Sequence, residues 1–154
     1  MDLRFCEEAN EVMENSMKKV FIVEDDIALC GEFERELQGR NDYVYSGMAD
    51  GATKAIEQVK NNVPDIIILD LCLNERDGTA FVTELHKYFD ILPTIIVISV
   101  IEDDKVIEKL YKMGVDYRFS KHEEEFGVPL IIEHLEMIHN GLRVPKLKVA
   151  CYTD

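Results

Sequence analysis

The stretch Pro64-Asp65-Ile66-Ile67-Ile68-Leu69-Asp70-Leu71-Cys72-Leu73 decides the fold. Residues 66–69 are wholly apolar, and Asp70 closes the run. An apolar run without alternation reads as a strand buried on both faces. Asn61-Asn62-Val63-Pro64 breaks the chain ahead of it. A second run of the same kind, residues 94–100, follows Pro93. Strands buried on both faces belong to parallel sheets that carry helices on either side.

Outward from these two runs, strand and helix alternate five times. Residues 20–24 form an apolar run ending in acid, and 43–48 a second strand. Residues 117–120 are a short fifth strand. The helices fall between them. Over 26–38, Cys30, Phe33 and Leu37 share a face, closed by Gly39 and Asn41; over 50–61, Ala52, Ala55, Ile56 and Val59 form a stripe. Over 77–88, Phe81, Val82 and Leu85 point inward. A fourth helix spans 102–113, with Gly114 as its C′ residue, and the last spans 128–138. The domain is therefore residues 17–140, with Met17 as a natural start. Residues 1–16 form an N-terminal extension. Residues 141–154, opened by Gly141 and carrying Pro145, read as a linker or tail.

At 154 residues, 47% hydrophobic, the chain fits one domain with a real core. No apolar run approaches the roughly 18 residues of a membrane span. The start has no basic region leading into an apolar stretch, so no secretory signal is predicted. Cys6, Cys30, Cys72 and Cys151 form no CxxC pair or Cys/His cluster, which argues against zinc. Cys30 and Cys72 read as reduced and mostly buried, which points to the cytoplasm. Net charge is −14: residues 1–16 contribute −4, 17–140 contribute −12 and 141–154 contribute +2. An acidic body repels phosphate backbones, so direct nucleic-acid binding is not expected.

In open parallel sheets, ligands sit beyond the carboxyl ends of the strands. The first strand ends in Glu24-Asp25-Asp26, the third in Asp70, the fourth in Ser99 and the fifth in Lys121. If strands one and three are neighbours, Glu24, Asp25 and Asp70 converge. Each carboxylate pair at roughly 4 Å then costs about 4 kcal/mol at an effective dielectric near 20. Lys121 offsets part of this. A hard divalent cation offsets more, and all-oxygen ligation favours Mg²⁺. Aspartate is a nucleophile that forms acyl phosphates, so Asp70 reads as a phosphoryl acceptor. Ser99 is placed to hydrogen-bond a phosphoryl oxygen.

With these residues in place, the chain from about Lys18 to Ile138 resembles the receiver domain of bacterial two-component response regulators. The carrying segments are Val20 to Asp26, Pro64 to Leu73 with Asp77-Gly78 after it, Ile98-Ser99, and Gly114-Val115-Asp116 ahead of Ser120-Lys121. The resemblance implies a flavodoxin-like α/β sandwich of strand order 2-1-3-4-5. It implies a sensor histidine kinase or phosphotransfer protein as phosphoryl donor, and a downstream output domain or protein, most often transcriptional. It implies a homodimer surface made by the fourth helix, fifth strand and last helix. By matching position, Asp70 is the phosphoacceptor, and Asp25 a direct metal ligand with Glu24 as its water-mediated partner. The backbone carbonyl of Cys72 is the third protein ligand. Ser99 and Lys121 are the pair that binds the phosphoryl group.

Four positions depart from the family pattern. Asn74 stands where proline is usual. Val100 follows Ser99 where a small residue is usual. Arg118 holds the place of the aromatic switch residue; an arginine head is costly to bury in an apolar pocket. Either the switch works differently or Arg118 reaches toward Glu102, Asp103 or Asp104. His122 replaces the proline after Lys121, where a cis bond would cost about 2.5–4 kcal/mol, so a trans bond is expected. Glu102-Asp103-Asp104 reads as the negative first turn of a helix and Glu123-Glu124-Glu125 as a solvated loop. His86, His122, His134 and His139 show no ligand spacing and read as surface or helix-face residues.

Three functions are compatible with these residues. The first is a phosphorylation-controlled switch, an acceptor with weak self-dephosphorylation and no ordinary turnover. The second is a receiver-like interaction module that works without phosphorylation, favoured by Val100, Arg118 and His122. The third is a metal-dependent phosphatase or nuclease, disfavoured because Cys72 stands where such phosphatases carry a second aspartate.

Overall fold

A computed structural model describes residues 17–73 and 78–148 of the chain. The expectations for 1–16, for Asn74 and Asp77, and for the end of the tail lie outside the described residues. The elements run β1 (Lys18–Val23), α1 (Ile27–Gln38), β2 (Tyr43–Ala49), α2 (Ala52–Asn61), β3 (Ile66–Asp70) and α3 (Gly78–Tyr88). There follow β4 (Phe89–Ile91), β5 (Thr94–Ser99), α4 (Asp104–Lys112), β6 (Tyr117–Ser120), α5 (Val128–Ile138) and β7 (Lys146–Leu147).

Five strands form one parallel sheet in the order β2-β1-β3-β5-β6. With the short β4 set aside, this is the flavodoxin-like 2-1-3-4-5 order. Side chains alternate across the strands, so each run feeds two cores. Phe21, Val23, Ile67, Leu69, Ile95 and Val97 pack with the buried stripes of α2 and α3 and with Leu110 of α4. Val20, Ile22, Ile66, Ile68, Ile96 and Ile98 pack with Cys30, Phe33 and Leu37 of α1 and the inner face of α5. Every residue of β3 and β5 is buried, which explains why their sequences do not alternate.

Local chemistry sets the helix ends. Asp26 caps α1, its carboxylate accepting from Ala28 N at 3.0 Å and Leu29 N at 3.3 Å. At the end of α4, Gly114 has φ of +106°, a conformation glycine adopts without strain. Its N–H donates to Tyr111 O and that of Val115 to Leu110 O, both at 3.1 Å, the paired bonds of a Schellman ending.

The structure differs from the sequence reading in three places. His139, read as a surface or helix-face residue, is buried, because it follows the last turn of α5 and its Nδ1 pairs with Thr94 Oγ1 of β5 at 2.7 Å. The fourth helix starts at Asp104, because Asp103 caps it by accepting from Lys105 N at 2.9 Å. Glu102 is left outside the helix. Cys72 is exposed where a buried residue was expected, because the strand ends at Asp70 and the side chain leaves the core. Cys30 is buried as expected. Of the two readings of the segment after residue 140, linker or tail, residues 141–148 fit the tail: they fold back onto the body. β7 pairs antiparallel with β4, Arg143 Nη2 bonds Asp116 Oδ2 at 2.6 Å and Pro93 O at 3.2 Å, and Lys148 N donates to Tyr88 O at 2.9 Å.

Gly78 opens α3 against the end of β3. Its N–H donates to Leu71 O at 2.9 Å, and a Cβ there would sit 2.8 Å from Leu71 Cα. Backbone cannot yield as a side-chain tip can. Gly78→Ala is expected to destabilise the fold by about 1–3 kcal/mol. Urea unfolding checks this: the midpoint should fall with the m-value unchanged.

Candidate metal centre at the carboxyl ends of the strands

The site follows from strand order. β1 and β3 pair in register with Val23 opposite Leu69, so the next residues, Glu24 and Asp70, emerge side by side. β3 and β5 pair with Asp70 opposite Ile98, and β5 and β6 with Ser99 opposite Ser120. Ser99 and Lys121 therefore follow onto the same rim. Glu24 and Asp70 are buried, and Asp25 is half-buried beside them. One carboxylate oxygen from each of Glu24, Asp25 and Asp70 lies within 4.8 Å of the other two.

Each polar atom can be followed. Asp70 Oδ1 accepts from Cys72 N at 3.0 Å, which orients the carboxylate from the loop that follows it. Asp70 Oδ2 accepts from Lys121 Nζ at 3.1 Å. Glu24 Oε1 accepts from Asp26 N at 3.1 Å. Glu24 Oε2 is buried without a hydrogen-bond partner; its nearest cation is Lys121 Nζ at 3.7 Å. Burial, then the charge of Asp70, push the Glu24 carboxyl up to about 8. Burial works against the Lys121 ammonium, but the hydrogen bond and charge of Asp70, with Glu24 behind, outweigh it and push its pKa up.

One lysine facing three carboxylates leaves the cluster short of positive charge. The orphaned Glu24 oxygen and a donor set made only of hard oxygens fit a small divalent cation such as Mg²⁺. The residues that would hold it are Glu24, Asp25 and Asp70, with the carbonyl of Cys72 on the adjoining loop.

Around this cluster lies a second set of contacts. Ser99 Oγ is buried and accepts from Ile101 N at 2.8 Å, which leaves its own proton for donation. Val100 is exposed at the rim. Arg118 turns toward Glu102, the first of the three acids named for it, at 3.3 Å, and also donates to the carbonyl of Ile101. Glu102 Oε1 further accepts from Ser120 Oγ at 2.6 Å. The Ser120 bond first, then Arg118, hold the Glu102 carboxyl below its ordinary range. Ser120 Oγ accepts in turn from His122 N at 3.2 Å. The described residues contain no cis peptide, so the Lys121–His122 bond is trans. Sequence reasoning missed Glu102 and Ser120 as partners. Glu102 was named only as one of three possible partners of Arg118, and Ser120 only as the residue before Lys121; their bond to each other joins residues 18 apart in the chain and leaves no pattern in the sequence.

Comparison with known proteins places the chain. Residues 20–128 match the family model of the response regulator receiver domain. The chain is 33% identical over 99 residues to the transcriptional regulatory protein KdpE of Staphylococcus aureus, which covers 64% of this chain and 42% of that protein. It is 28% identical over 109 residues to the sensory transduction protein LytT of Bacillus anthracis, covering 71% of this chain and 44% of that one. The chain thus spans less than half the length of these relatives. Among solved structures, the response regulator domain of Thermotoga maritima CheB superposes with a TM-score of 0.68 at 17% identity, covering 80% of this chain and 97% of that one. A LuxR-family DNA-binding response regulator from Staphylococcus aureus gives 0.68 at 19% identity, with 80% and 100% covered.

The raised pKa of Glu24 sets a pH dependence. Below about 8 the metal-free site holds a proton there that a cation must displace. Mg²⁺ affinity should therefore rise by up to about tenfold per pH unit toward pH 8 and level off above it. The same proton is lost from the unfolded chain near 4.5, so metal-free stability should decline as pH rises from there through about 8. Glu24→Gln should remove that decline. Calorimetric Mg²⁺ titrations and thermal melts across pH 5 to 9 check both.

Proposed function

The chain belongs to the response regulator receiver domain family, and on that premise we propose that it is a switch controlled by phosphorylation of Asp70. The observation that carries the reading is the convergence of Glu24, Asp25 and Asp70 with Lys121 bonded to Asp70. The donor is a sensor histidine kinase or a phosphotransfer protein. An Asp70 oxygen forms a bond to phosphorus as the donor's phosphorus–nitrogen bond breaks, and the departing imidazole keeps the electron pair and takes a proton. Glu24, Asp25, Asp70 and the Cys72 carbonyl would hold Mg²⁺, which would supply charge neutralisation at the phosphoryl oxygens.

The chain's own residues do the rest. Lys121 already holds Asp70 and stays beside the added charge, which is roughly −1.5 to −2 on phosphorylation. Ser99 donates a hydrogen bond from its hydroxyl to a phosphoryl oxygen. To do so the side chain turns toward that oxygen, and the bond it accepts from Ile101 N carries the movement into the segment leading to α4. This is a population shift between two arrangements of α4 and β6, not a new fold. The domain is an acceptor with weak self-dephosphorylation, not a turnover enzyme. The output is a partner protein or a further domain, transcriptional in the commonest case, reached through the face of α4, β6 and α5, which also serves as a homodimer surface. It works in the cytoplasm without contacting nucleic acid or membrane itself. Among the described residues no helix is long and apolar enough to cross a membrane.

A second reading is a receiver-like module that binds partners without phosphorylation. It is favoured by Arg118, whose head is tied to Glu102 and to the Ile101 carbonyl in place of an aromatic ring.

Incubation with Mg²⁺ and acetyl phosphate, followed by intact mass, separates the two. Wild type should gain the mass of one phosphoryl group, and Asp70→Asn or omission of Mg²⁺ should abolish the gain. An unlabelled wild type, or undiminished labelling in Asp70→Asn, contradicts the switch.

A further inference from the structure

Lys121 neutralises the site from a turn that no regular element fixes. β6 ends at Ser120, one residue before it, and α5 does not begin until Val128. The ammonium must nonetheless hold its place to within a hydrogen bond of Asp70. The turn is tied down on both sides of Lys121 by one hydroxyl. Ser120 Oγ accepts from His122 N at 3.2 Å and donates to Glu102 Oε1 at 2.6 Å. The latter is a charge-assisted bond, short as such bonds are. Glu102 is itself fixed by Arg118 Nη2 at 3.3 Å, and Arg118 also grips the carbonyl of Ile101. Lys121 N donates to Ser99 O at 2.9 Å, closing the frame.

From these contacts we propose that Ser120 is a positioning residue for Lys121, held in place by Glu102 and Arg118. The hydroxyl is buried. Its accepting and donating roles are both used, so its orientation is set rather than free. Glu102 serves no other element. It lies outside α4, does not cap it, and its side chain is 57% exposed, yet it takes two bonds from β6. The N–H of His122 is one of the two anchors, so a residue with a free N–H at that position is part of the device. The brace joins the residues after Ser99 to the residues around Lys121, so the two groups that meet the phosphoryl oxygens are held relative to one another. The inference rests on the proposed role of Asp70 for its catalytic consequence. The brace itself can be tested without it.

A double-mutant cycle with a separate chemical probe tests it. Ser120→Ala should slow Mg²⁺-dependent labelling by acetyl phosphate by about tenfold or more, because small misplacements of a charge-stabilising group are costly. Ser120→Thr, which keeps the hydroxyl, should restore most of the rate, and Glu102→Gln, which keeps an acceptor without the charge, should fall between. Mg²⁺ should still bind in all three, since no carboxylate of the cluster is altered. In a Lys121→Ala background, Ser120→Ala should have no further effect. In parallel, brief acetylation with acetic anhydride, read by peptide mass spectrometry, should modify Lys121 several-fold faster in Ser120→Ala than in wild type. Lys112 and Lys148 should be unaffected. Equal Lys121 acetylation in wild type and Ser120→Ala overturns the brace, as does an equal slowing by Ser120→Ala with and without Lys121. If wild type takes no phosphoryl group, the role of Asp70 fails while the acetylation comparison still decides the brace.

Discussion

The repulsion among carboxylates at one end of a parallel sheet is the constraint on which the rest depends. Glu24 and Asp70 are brought together by register, not by local sequence, and both are buried. In a dry crevice such charges cannot coexist uncompensated. The protein supplies one lysine, bonded to Asp70 at 3.1 Å and 3.7 Å from Glu24. The remaining shortfall shows in two features of Glu24. The Glu24 carboxyl is pushed up to about 8, and its Oε2 has no hydrogen-bond partner. Both describe a site that is satisfied only when more positive charge arrives. On the proposed reading a divalent cation would supply it, and a phosphoryl group would then meet counter-charge on two sides.

The surroundings of the cluster divide into two parts. The acceptor half, Glu24, Asp25, Asp70 and Lys121, is held by β1, β3 and the turn after β6. The other half runs through the segment after Ser99. There Ile101 donates to Ser99 and accepts from Arg118, while Glu102 joins Ser120 and Arg118. An arginine in this position does not behave as a buried aromatic ring. Its head is anchored by polar contacts, so any movement of the segment must exchange hydrogen bonds instead of filling or vacating an apolar pocket. Readout through polar exchange is expected to be more sensitive to salt than readout through packing, because the Arg118–Glu102 pair is partly solvated.

Much of this was legible in the sequence, and for physical reasons. Unbroken apolar runs identify strands buried on both faces, so β3 and β5 were evident. Helical spacing named the inward residues of α1, α2 and α3 correctly, because each of those faces meets a single sheet. The convergence of Glu24, Asp25, Asp70 and Lys121 was legible because each stands at or just beyond a strand end, where the fold class places chemistry. What stayed hidden depends on contacts without period or motif. Two- and three-residue strands such as β7 and β4 carry no pattern, so the return of residues 141–148 was unseen. The exposure of Cys72 depends on where β3 stops. The pairing of Glu102 with Ser120 and Arg118 depends on which of three adjacent acids caps α4: Asp103 takes that place and releases Glu102 to β6.

That Asp70 receives a phosphoryl group in the presence of Mg²⁺ is the central claim, and trapping the acyl phosphate tests it most directly. Borohydride reduces an aspartyl phosphate to homoserine, which peptide mass spectrometry locates. After treatment with Mg²⁺ and acetyl phosphate, homoserine is expected at position 70, at no other acid, and not at all when Mg²⁺ is withheld. Homoserine at another aspartate, or at none, would contradict the claim.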